Sequence, residues 1–394
     1  MLFERAYTTA PWTKPAVASI LTGRYPNSHG VTAIRSVLPD SVVTLAEPLS
    51  EGGYRTASIT SNGLLRAGSG FEQGFDLYDD EEALGHSHLS TPGVTERGIE
   101  FLEDAATSDE PFFLTALYFD PHYAYVPHPE FGFAAESAGR LDGSEPIGDL
   151  RSLQPALTAE EVGFLRDVYD EEIRYTDAGI GRLLDRLDEL ELARETLVLL
   201  TSDHGEEFME HGWLGHTRNL YQGLVRVPLL IRPPGEPANV SRVERRVSTV
   251  SIAATVLDLA GIEPEEGLGA SLRPLWEGRA DEAEEGGTVF FEVDYQPLGD
   301  FDVEKRAQMR GLVTAGWKLI RDDTVERYEL YDVENDPLEQ SNRDGELPDL
   351  QRKWVEQLRL WTRFARGDKQ AERQLREVGT QEREMLRDLG YVDR

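Results

Sequence analysis

The stretch Thr196-Leu-Val-Leu-Leu-Thr-Ser-Asp-His-Gly-Glu206 indicates the fold class of this chain. Its first six residues are apolar or β-branched, which is typical of a buried strand, and polar residues begin where that strand ends. Phe112–Phe119 and Pro228–Arg232 are further apolar runs of strand length. The sequence therefore predicts a sheet of buried strands with functional side chains beyond their carboxyl ends.

Helical patterns separate these strands. From Thr158 to Leu192 apolar side chains recur at steps of three and four residues, and Thr158-Ala-Glu-Glu161 is a capping box. A second helix is predicted over 43–52, before Gly52-Gly53 and a strand at Thr56–Thr60. This alternation predicts an α/β fold in which helices sandwich a mixed, largely parallel sheet.

A change of composition divides the chain. Residues 263–287 are rich in Glu and Gly and predict a linker between a catalytic domain, 1–262, and a C-terminal α+β subdomain, 288–394. The subdomain is predicted to be a small antiparallel sheet packed with a helix, with strands at Thr288–Tyr295, Gly311–Arg321 and Tyr328–Val333 and helices from about 347 to 389.

The chain is strongly acidic. Its 394 residues include 73 acidic and 40 basic side chains, giving a formal net charge of −33, and only five residues are lysine. Such a surface repels nucleic-acid phosphates and anionic lipid headgroups, so neither nucleic acid nor a membrane is an expected partner. Dense carboxylate with scarce lysine suits concentrated salt and predicts a halophilic, haloarchaeal source; the alternative is an ordinary acidic protein.

The chain contains no cysteine, which excludes disulfides, thiolate metal sites and cysteine nucleophiles. No stretch approaches the roughly 20 apolar residues of a membrane-spanning helix, and the N-terminus lacks an apolar signal core. We therefore expect a cytoplasmic protein.

Histidines cluster just after the strand quoted above. His204, His211 and His216 are three of eight histidines in the chain, and they lie within fourteen residues beginning at Asp203. An aspartate and an imidazole at the end of a strand can both turn toward one metal ion. We predict Asp203 and His204 as metal ligands; the alternative for such a pair is a solvated turn.

A second informative segment is Pro11-Trp-Thr-Lys-Pro-Ala-Val-Ala-Ser-Ile-Leu-Thr-Gly-Arg-Tyr-Pro-Asn-Ser-His-Gly30. It resembles the signature of the sulfatase family, within the alkaline-phosphatase-like superfamily. The matching positions are Thr13, Pro15, Ala16, Leu21, Thr22, Gly23, Arg24, Tyr25, Pro26, His29 and Gly30. Further segments resemble family motifs in family order, namely Asp120–Tyr125, Ser202–Glu206, Glu210–Gly212, Arg226–Leu229, Glu329–Pro337 and Leu389–Val392.

The resemblance implies an alkaline-phosphatase-like fold and a hydrolase of sulfate or phosphate esters that uses one divalent metal ion, either Ca, Mg, Mn or Zn. The implied substrate is a small anionic ester or a sulfated or phosphorylated glycan. Thr13 would be the nucleophile and a third metal ligand, while His122 and His216 would contact the ester oxygens or the leaving group. The alternatives are a helix cap for Thr13, a surface position for His122 and a loop hydrogen bond for His216.

Several other polar residues lie near these motifs. His211 and His29 are predicted to shape a loop and to close a turn, and Asn62 is a weaker candidate for the substrate rim. His86, His88 and His128 receive no role.

Two departures from the family pattern concern the mechanism. The family carries Cys or Ser, oxidised to formylglycine, where this chain has Thr13, and Arg where it has Val17. Threonine cannot form that aldehyde, but it is the nucleophile in relatives that act on phosphate esters. The family's first strand, with its metal-binding aspartates, has no counterpart before Phe3. We therefore expect either that the start of the protein has been assigned too late and a longer protein exists, or that this is a shortened homologue. The alternative function is a non-catalytic sulfatase-like binding protein that lacks this strand.

Overall fold

The computed structural model describes residues 1–83, 89–153, 156–235, 241–265, 267–277, 287–295, 306–366, 374–377, 379, 383 and 386. His86, His88 and the motif Leu389–Val392 lie outside the described residues. The chain forms two compact units. The first comprises Met1–Leu49, Leu197–Glu206 and His216–Arg376, and the second comprises Ser50–Thr196, Glu207–Gly215 and Glu377–Arg394. The three-part division by composition remains a prediction.

The helices are α1 Thr13–Thr22, α2 Pro26–His29, α3 Ala46–Glu51, α4 Thr91–Ala105, α5 Ile147–Ser152, α6 Ala159–Glu189, α7 Gln222–Val225, α8 Ser251–Ala260 and α9 Pro348–Arg366, with 3-10 turns at Gly63–Leu65 and Arg273–Leu275. Among the described residues, none of these helices has the length and apolar content that crossing a membrane requires.

The strands are β1 Leu2–Tyr7, β2 Ser36–Val37, β3 Arg55–Thr60, β4 Leu77–Asp79, β5 Phe112–Leu117, β6 Val198–Thr201, β7 Glu207–Phe208, β8 Leu214–Gly215, β9 Arg226–Arg232, β10 Arg242–Val243, β11 Val247–Ser248, β12 Val289–Tyr295, β13 Ala307–Thr314, β14 Trp317–Asp322, β15 Arg327–Asp332 and β16 Gln374–Leu375.

The main sheet of the first unit has the order β10-β1-β9-β6, with β11 also paired to β1. The β1–β10 and β1–β11 pairs are parallel, whereas β9 runs antiparallel to both β1 and β6. In the second unit β3 pairs in parallel with β4 and β5. The predicted mixed α/β architecture is confirmed, because helices connect the strands and four of the six strand pairs in these two sheets are parallel.

None of the three strands that were predicted to be buried is buried on both faces: β9 alternates buried and exposed residues, and β5 and β6 are half-buried. Every residue of β5 and of β6 has intermediate exposure. Each strand comes last in the order of its own sheet as far as the described residues extend, with one hydrogen-bonded neighbour, β3 or β9. The prediction of full burial was wrong because an apolar run does not reveal how many neighbours its strand has.

The long helix is confirmed. Helix α6 spans 31 residues, and Thr158 and Glu161 form the predicted capping box, each side chain bonding the other residue's backbone N–H. Its Phe164, Leu165 and Val168 are buried in the core of the second unit. Local capping and apolar periodicity therefore agree with the tertiary packing.

The C-terminal antiparallel sheet is also confirmed, with the order β12-β13-β14-β15 and with α9 packed on it. The segment Gly311–Arg321, predicted as one strand, is instead a hairpin. Thr314 pairs with Trp317 across a two-residue turn whose residues, Ala315 and Gly316, have φ of 46° and 81°. Two consecutive positive φ angles are typical of a type I′ turn, and alanine at the first position hid that turn from the sequence pattern.

Candidate active site

Thr13 lies where the chain leaves the main sheet of the first unit. Strand β1 ends at Tyr7, and Thr13 is the first residue of α1, with 2% of its surface exposed. The cap position belongs to Trp12, which makes no side-chain cap hydrogen bond. Thr13 is therefore not the helix cap, and its hydroxyl lies in the first turn of a ten-residue helix, an end that favours anions.

Asp203 and His204 follow β6 directly, and their side chains meet Thr13. The Nε2 atom of His204 lies 3.3 Å from Oγ1 of Thr13 and 3.4 Å from Oδ2 of Asp203. The Nδ1 atom of His204 lies 2.8 Å from the carbonyl oxygen of Gly205. A carbonyl only accepts hydrogen bonds, so Nδ1 carries a hydrogen, and in the neutral form of the ring the lone pair lies at Nε2, toward Thr13.

This arrangement fits part of a metal coordination shell. Two ligand atoms bound at right angles, each about 2.1 to 2.4 Å from one cation, lie about 3.0 to 3.4 Å apart, which matches both distances at Nε2. The backbone carbonyl behind Nδ1 is the support that metal-binding imidazoles usually have. However, the described part of the chain contains no group of three or more His, Asp or Glu side chains able to hold a metal. Thr13, Asp203 and His204 would leave the remaining positions to water or substrate.

His216 belongs to the same cluster. Its ring centroid lies 4.3 Å from that of His204, and its Nδ1 lies 3.0 Å from Oε1 of Glu206. The side chains of His216 and Glu206 are 0% and 5% exposed, so the pair is buried. This contact is the kind of loop hydrogen bond given as the alternative for His216, and the contact of His216 with ester oxygens remains a prediction. Glu206 was missed by sequence reasoning, although it stands at the end of the stretch that carries Asp203 and His204.

His29 closes a turn, as predicted. Its Nδ1 accepts a hydrogen bond from the backbone N–H of Val31, and its Nε2 lies 3.1 Å from Oγ of Ser19. Burial lowers the pKa of His29 to about 3, so the ring is neutral at ordinary pH. Because Nδ1 accepts, Nε2 carries the hydrogen and donates it to Ser19. Ser19 is therefore not activated by this histidine.

His122 lies in the second unit, beyond the end of β5. Its ring stacks on Phe119 at 4.3 Å and contacts the Tyr123 ring at 4.2 Å, and its Nδ1 lies 2.6 Å from the Tyr123 carbonyl oxygen. The side chain is half-buried between these rings, which is compatible with the alternative of a surface position. Its contact with ester oxygens remains a prediction.

Arg151, which sequence reasoning also missed, extends this row of rings. Its guanidinium carbon lies 5.2 Å from the Tyr123 ring centroid and 4.6 Å from that of Trp213. Its Nε donates to the carbonyl oxygen of Leu214 at 2.8 Å. A Cβ on Gly215 would lie 2.2 Å from Nη2 of Arg151, so glycine makes room for the guanidinium. No spacing in the sequence links Arg151 to residues more than sixty positions later.

Three other polar residues of the second unit have structural roles. His211 donates its backbone N–H to Oε1 of Glu207, as expected of a residue that shapes its loop. Asn62 is 1% exposed and caps the turn Gly63–Leu65, so it is not part of an accessible rim. His128 is buried and stacks on Tyr175 at 4.2 Å.

The chain matches a family model described as sulfatase over residues 1–262. It also matches a model described as N-sulphoglucosamine sulphohydrolase, C-terminal, over residues 209–362. The chain is 25% identical to N-acetylglucosamine-6-O-sulfatase of Bacteroides thetaiotaomicron, covering 87% of this chain and 76% of the relative. It is 27% identical to choline-sulfatase of Rhizobium meliloti, covering 86% and 74%.

Solved structures show the same fold. The phosphonate monoester hydrolase of Agrobacterium radiobacter superimposes with a TM-score of 0.76 at 22% identity, over 94% of this chain and 89% of that one. A protein in complex with its substrate D-glucosamine-2-N,6-O-disulfate superimposes with a TM-score of 0.75 at 22% identity, over 95% and 92%. At such identities the likeness establishes an alkaline-phosphatase-like fold.

Proposed function

This chain belongs to the sulfatase family, and from that premise we propose that it hydrolyses sulfate or phosphate esters through attack by Thr13. The observation that supports this proposal is the distance of 3.3 Å between Oγ1 of Thr13 and Nε2 of His204. A buried hydroxyl at a helix N-terminus, facing an imidazole lone pair, has the two features that an alkoxide nucleophile needs.

The proposed reaction has two displacements. In the first, Oγ1 of Thr13 loses its proton and bonds to the sulfur or phosphorus atom, while the bond to the alcohol oxygen breaks and the alcohol leaves with a proton. In the second, water attacks the sulfur or phosphorus atom of the ester formed on Thr13, the bond to Oγ1 breaks, sulfate or phosphate leaves, and Oγ1 regains a proton. The N-terminus of α1 favours the anionic group throughout, and His216, whose orientation Glu206 sets, contacts its oxygens.

We propose that Asp203, His204 and Thr13 hold one divalent cation, Ca, Mg, Mn or Zn. When bound, such a cation lowers the pKa of the coordinated hydroxyl and polarises the ester. The same lone pair at Nε2 of His204 could instead take the proton of Thr13 directly, and its geometry supports that second route. Full activity in chelator would favour the second route.

The proposed substrates are small anionic esters or sulfated or phosphorylated glycans. Relatives named for N-acetylglucosamine-6-O-sulfate and choline sulfate support this class. Because threonine cannot become formylglycine, the attack proceeds from the unmodified hydroxyl, and phosphate and phosphonate monoesters are included in the proposal.

The test compares turnover of p-nitrophenyl sulfate, p-nitrophenyl phosphate and bis-p-nitrophenyl phosphate by the wild type, Thr13→Ser and Thr13→Val, with each metal and with chelator. Serine keeps a hydroxyl and is expected to retain activity within about tenfold. Valine matches the shape of threonine without the hydroxyl and is expected to lose about 10³-fold or more. Equal rates for valine and wild type would contradict Thr13 as nucleophile. No turnover of any ester would favour the non-catalytic binding protein.

The halophilic source is part of the proposal, supported by the charge of −33. Raising KCl from about 0.1 M to about 3 M shortens the Debye length from about 10 Å to below 3 Å and screens repulsion among the carboxylates. The free energy of unfolding, measured by urea titration, should therefore rise with salt. A steady gain in stability as salt is removed would contradict a halophilic origin.

A further inference from the structure

Two buried carboxylates in the C-terminal part of the first unit contact short helices of the same unit. Glu292, in β12, accepts the backbone N–H of Asn27, in α2, at 2.9 Å. Glu339, which follows β15, accepts the backbone N–H of Gln222, the first residue of α7, at 2.5 Å. Both glutamates are 2% exposed. Their removal from water therefore needs compensation by cations.

The cations come from the sheet itself. Nζ of Lys318, in β14, lies 2.7 Å from Oε1 of Glu339, and both side chains are fully buried. Nε of Arg310, in β13, lies 3.6 Å from Oε2 of Glu292. A buried ion pair adds little stability compared with apolar side chains of similar size, so these pairs suggest a role in specifying one geometry.

The contacts beyond Glu339 lead directly to the candidate active site. Helix α7 begins at Gln222, and the carbonyl oxygen of its Leu224 accepts the backbone N–H of Gly205 at 2.8 Å. A Cβ on Gly205 would lie 2.0 Å from the carbonyl oxygen of Gly223, so the two backbones are in direct contact. The carbonyl of Gly205 in turn accepts Nδ1–H of His204. Three hydrogen bonds therefore connect Glu339 to the His204 ring through α7.

A second contact holds the start of α7. The hydroxyl groups of Tyr221 and Tyr331 both donate to Oε2 of Glu329, at 3.0 and 2.9 Å. The Tyr221 contact acts through a side chain, whereas Glu339 binds the backbone of the helix itself. Because α7 has only four residues, its own hydrogen bonds cannot fix its position. These contacts hold its start, while its end is held by strand β9, which begins at the next residue, and by the Thr8 N–H that the Val225 carbonyl accepts.

We propose that the buried Lys318–Glu339 pair is a positioning device for the active site. It fixes α7, and α7 fixes Gly205 and the orientation of the His204 ring. Lys318 and Glu339 are positioning residues that do not touch the substrate. The expected effect on turnover rests on the proposed function. The expected effect on the Gly205 backbone does not, because it can be measured whether or not the protein is an active enzyme.

The sharpest test removes one hydrogen-bond donor. Gln222→Pro deletes the N–H that Glu339 accepts, and its ring carbon takes the place of that hydrogen, so the Glu339 carboxylate also moves away from α7. Proline is tolerated at the first position of a helix, and the preceding residue, Tyr221, has φ −67° and ψ 159°, an extended conformation that accepts a following proline. Gln222→Ala is the matched control, because it removes the same side chain and keeps the N–H.

Hydrogen exchange of the segment 203–206, followed by mass spectrometry, gives a readout that needs no activity. For Gln222→Pro we expect exchange about tenfold faster than for Gln222→Ala, with kcat about tenfold lower and KM within about threefold. Equal exchange and equal kcat in the two variants would overturn the inference. Faster exchange without turnover in the wild type would support it and contradict the proposed function.

Two double variants test the side chains of Lys318 and Glu339. Lys318→Met with Glu339→Gln removes the ion pair and keeps an amide oxygen for the Gln222 N–H, so exchange and kcat between those of the wild type and Gln222→Pro are expected. Lys318→Met with Glu339→Met fills the same volume without an acceptor and should behave like Gln222→Pro. Leu319→Ala, on the opposite face of β14, is the control for general destabilisation and should leave the 203–206 segment unchanged in the folded protein. Identical behaviour of the two double variants would overturn the role of Glu339.

Discussion

The two units place their candidate functional histidines in different surroundings. In the first unit, His204 and His216 are held by hydrogen bonds to a backbone carbonyl and to the Glu206 carboxylate. In the second, Nδ1 of His122 likewise lies 2.6 Å from a backbone carbonyl oxygen, that of Tyr123, and the ring packs between Phe119 and Tyr123. These carbonyl contacts assign a hydrogen to Nδ1 in both His204 and His122. The difference lies in what surrounds the ring: Nε2 of His204 lies 3.3 Å from Oγ1 of Thr13, whereas the ring of His122 packs against aromatic rings. The first histidine is therefore placed beside the candidate nucleophile, and the second is placed for contact.

The strongest test of this difference replaces each histidine by phenylalanine, which keeps a ring and removes both nitrogens. His204→Phe should lower kcat/KM by about 10³-fold or more, in the range expected for loss of an acid–base group or metal ligand. His122→Phe keeps the stacking and should cost about tenfold to a hundredfold. His128→Phe, in a stacked position without an assigned role, is the control and should stay within about threefold. If His122→Phe lowered kcat/KM as much as His204→Phe, the proposed difference between the two histidines would be wrong.

A second test concerns His29 of the first unit, which is buried and neutral. The folded chain binds a proton at His29 only near pH 3, whereas the ordinary pKa is 6.5. Between these values the unfolded chain binds more protons, so stability falls as the pH decreases, by about 1.4 kcal/mol per pH unit. From pH 6.5 to 5 this contributes a loss of about 2 kcal/mol, and above pH 6.5 the contribution is constant.

The measurement is urea unfolding at pH 7, 6 and 5 for the wild type and His29→Asn, which keeps an acceptor for the Val31 N–H. Acidic groups contribute the same slope to both proteins, so the difference between slopes reports His29. Parallel curves would mean that His29 is not held neutral by burial.

The smallest expected effect is in the second unit. Arg151→Lys keeps the positive charge but loses the planar stack between Tyr123 and Trp213 and the bond to Leu214. We expect the free energy of unfolding to fall by about 1 kcal/mol. Arg174→Lys, at an exposed pair with Asp177, is the control and should change stability by less than about 0.5 kcal/mol. Equal stability of Arg151→Lys and wild type would show that the ring contacts contribute no net stability.

Local patterns predicted much of the fold. Helix α6 and its capping box, and the strands ending before Asp203, follow from periodicity and capping, which act over a few residues. The meeting of Asp203, His204 and Thr13 was anticipated from the ends of strands and from the family resemblance.

What could not be predicted depends on contacts between distant parts of the chain. Glu206 and Arg151 carry no motif, and their partners are chosen by the fold. Asn62 had the polarity of a rim residue, but only the structure shows that it is buried as a cap. The half-burial of β5 and β6 likewise depends on neighbouring strands, which a single run of apolar residues does not encode.

The close approach of Gly205 to α7 has a consequence for protein engineering. Because no side chain fits at Gly205, the loop that carries Asp203 and His204 cannot be reshaped by substitution at its own centre. Of residues 222–225 only Gly223 is exposed, and a Cβ there would lie 3.6 Å from the carbonyl oxygen of Glu206, an ordinary contact. A library directed at altered substrate range would therefore gain more diversity from position 223 than from position 205.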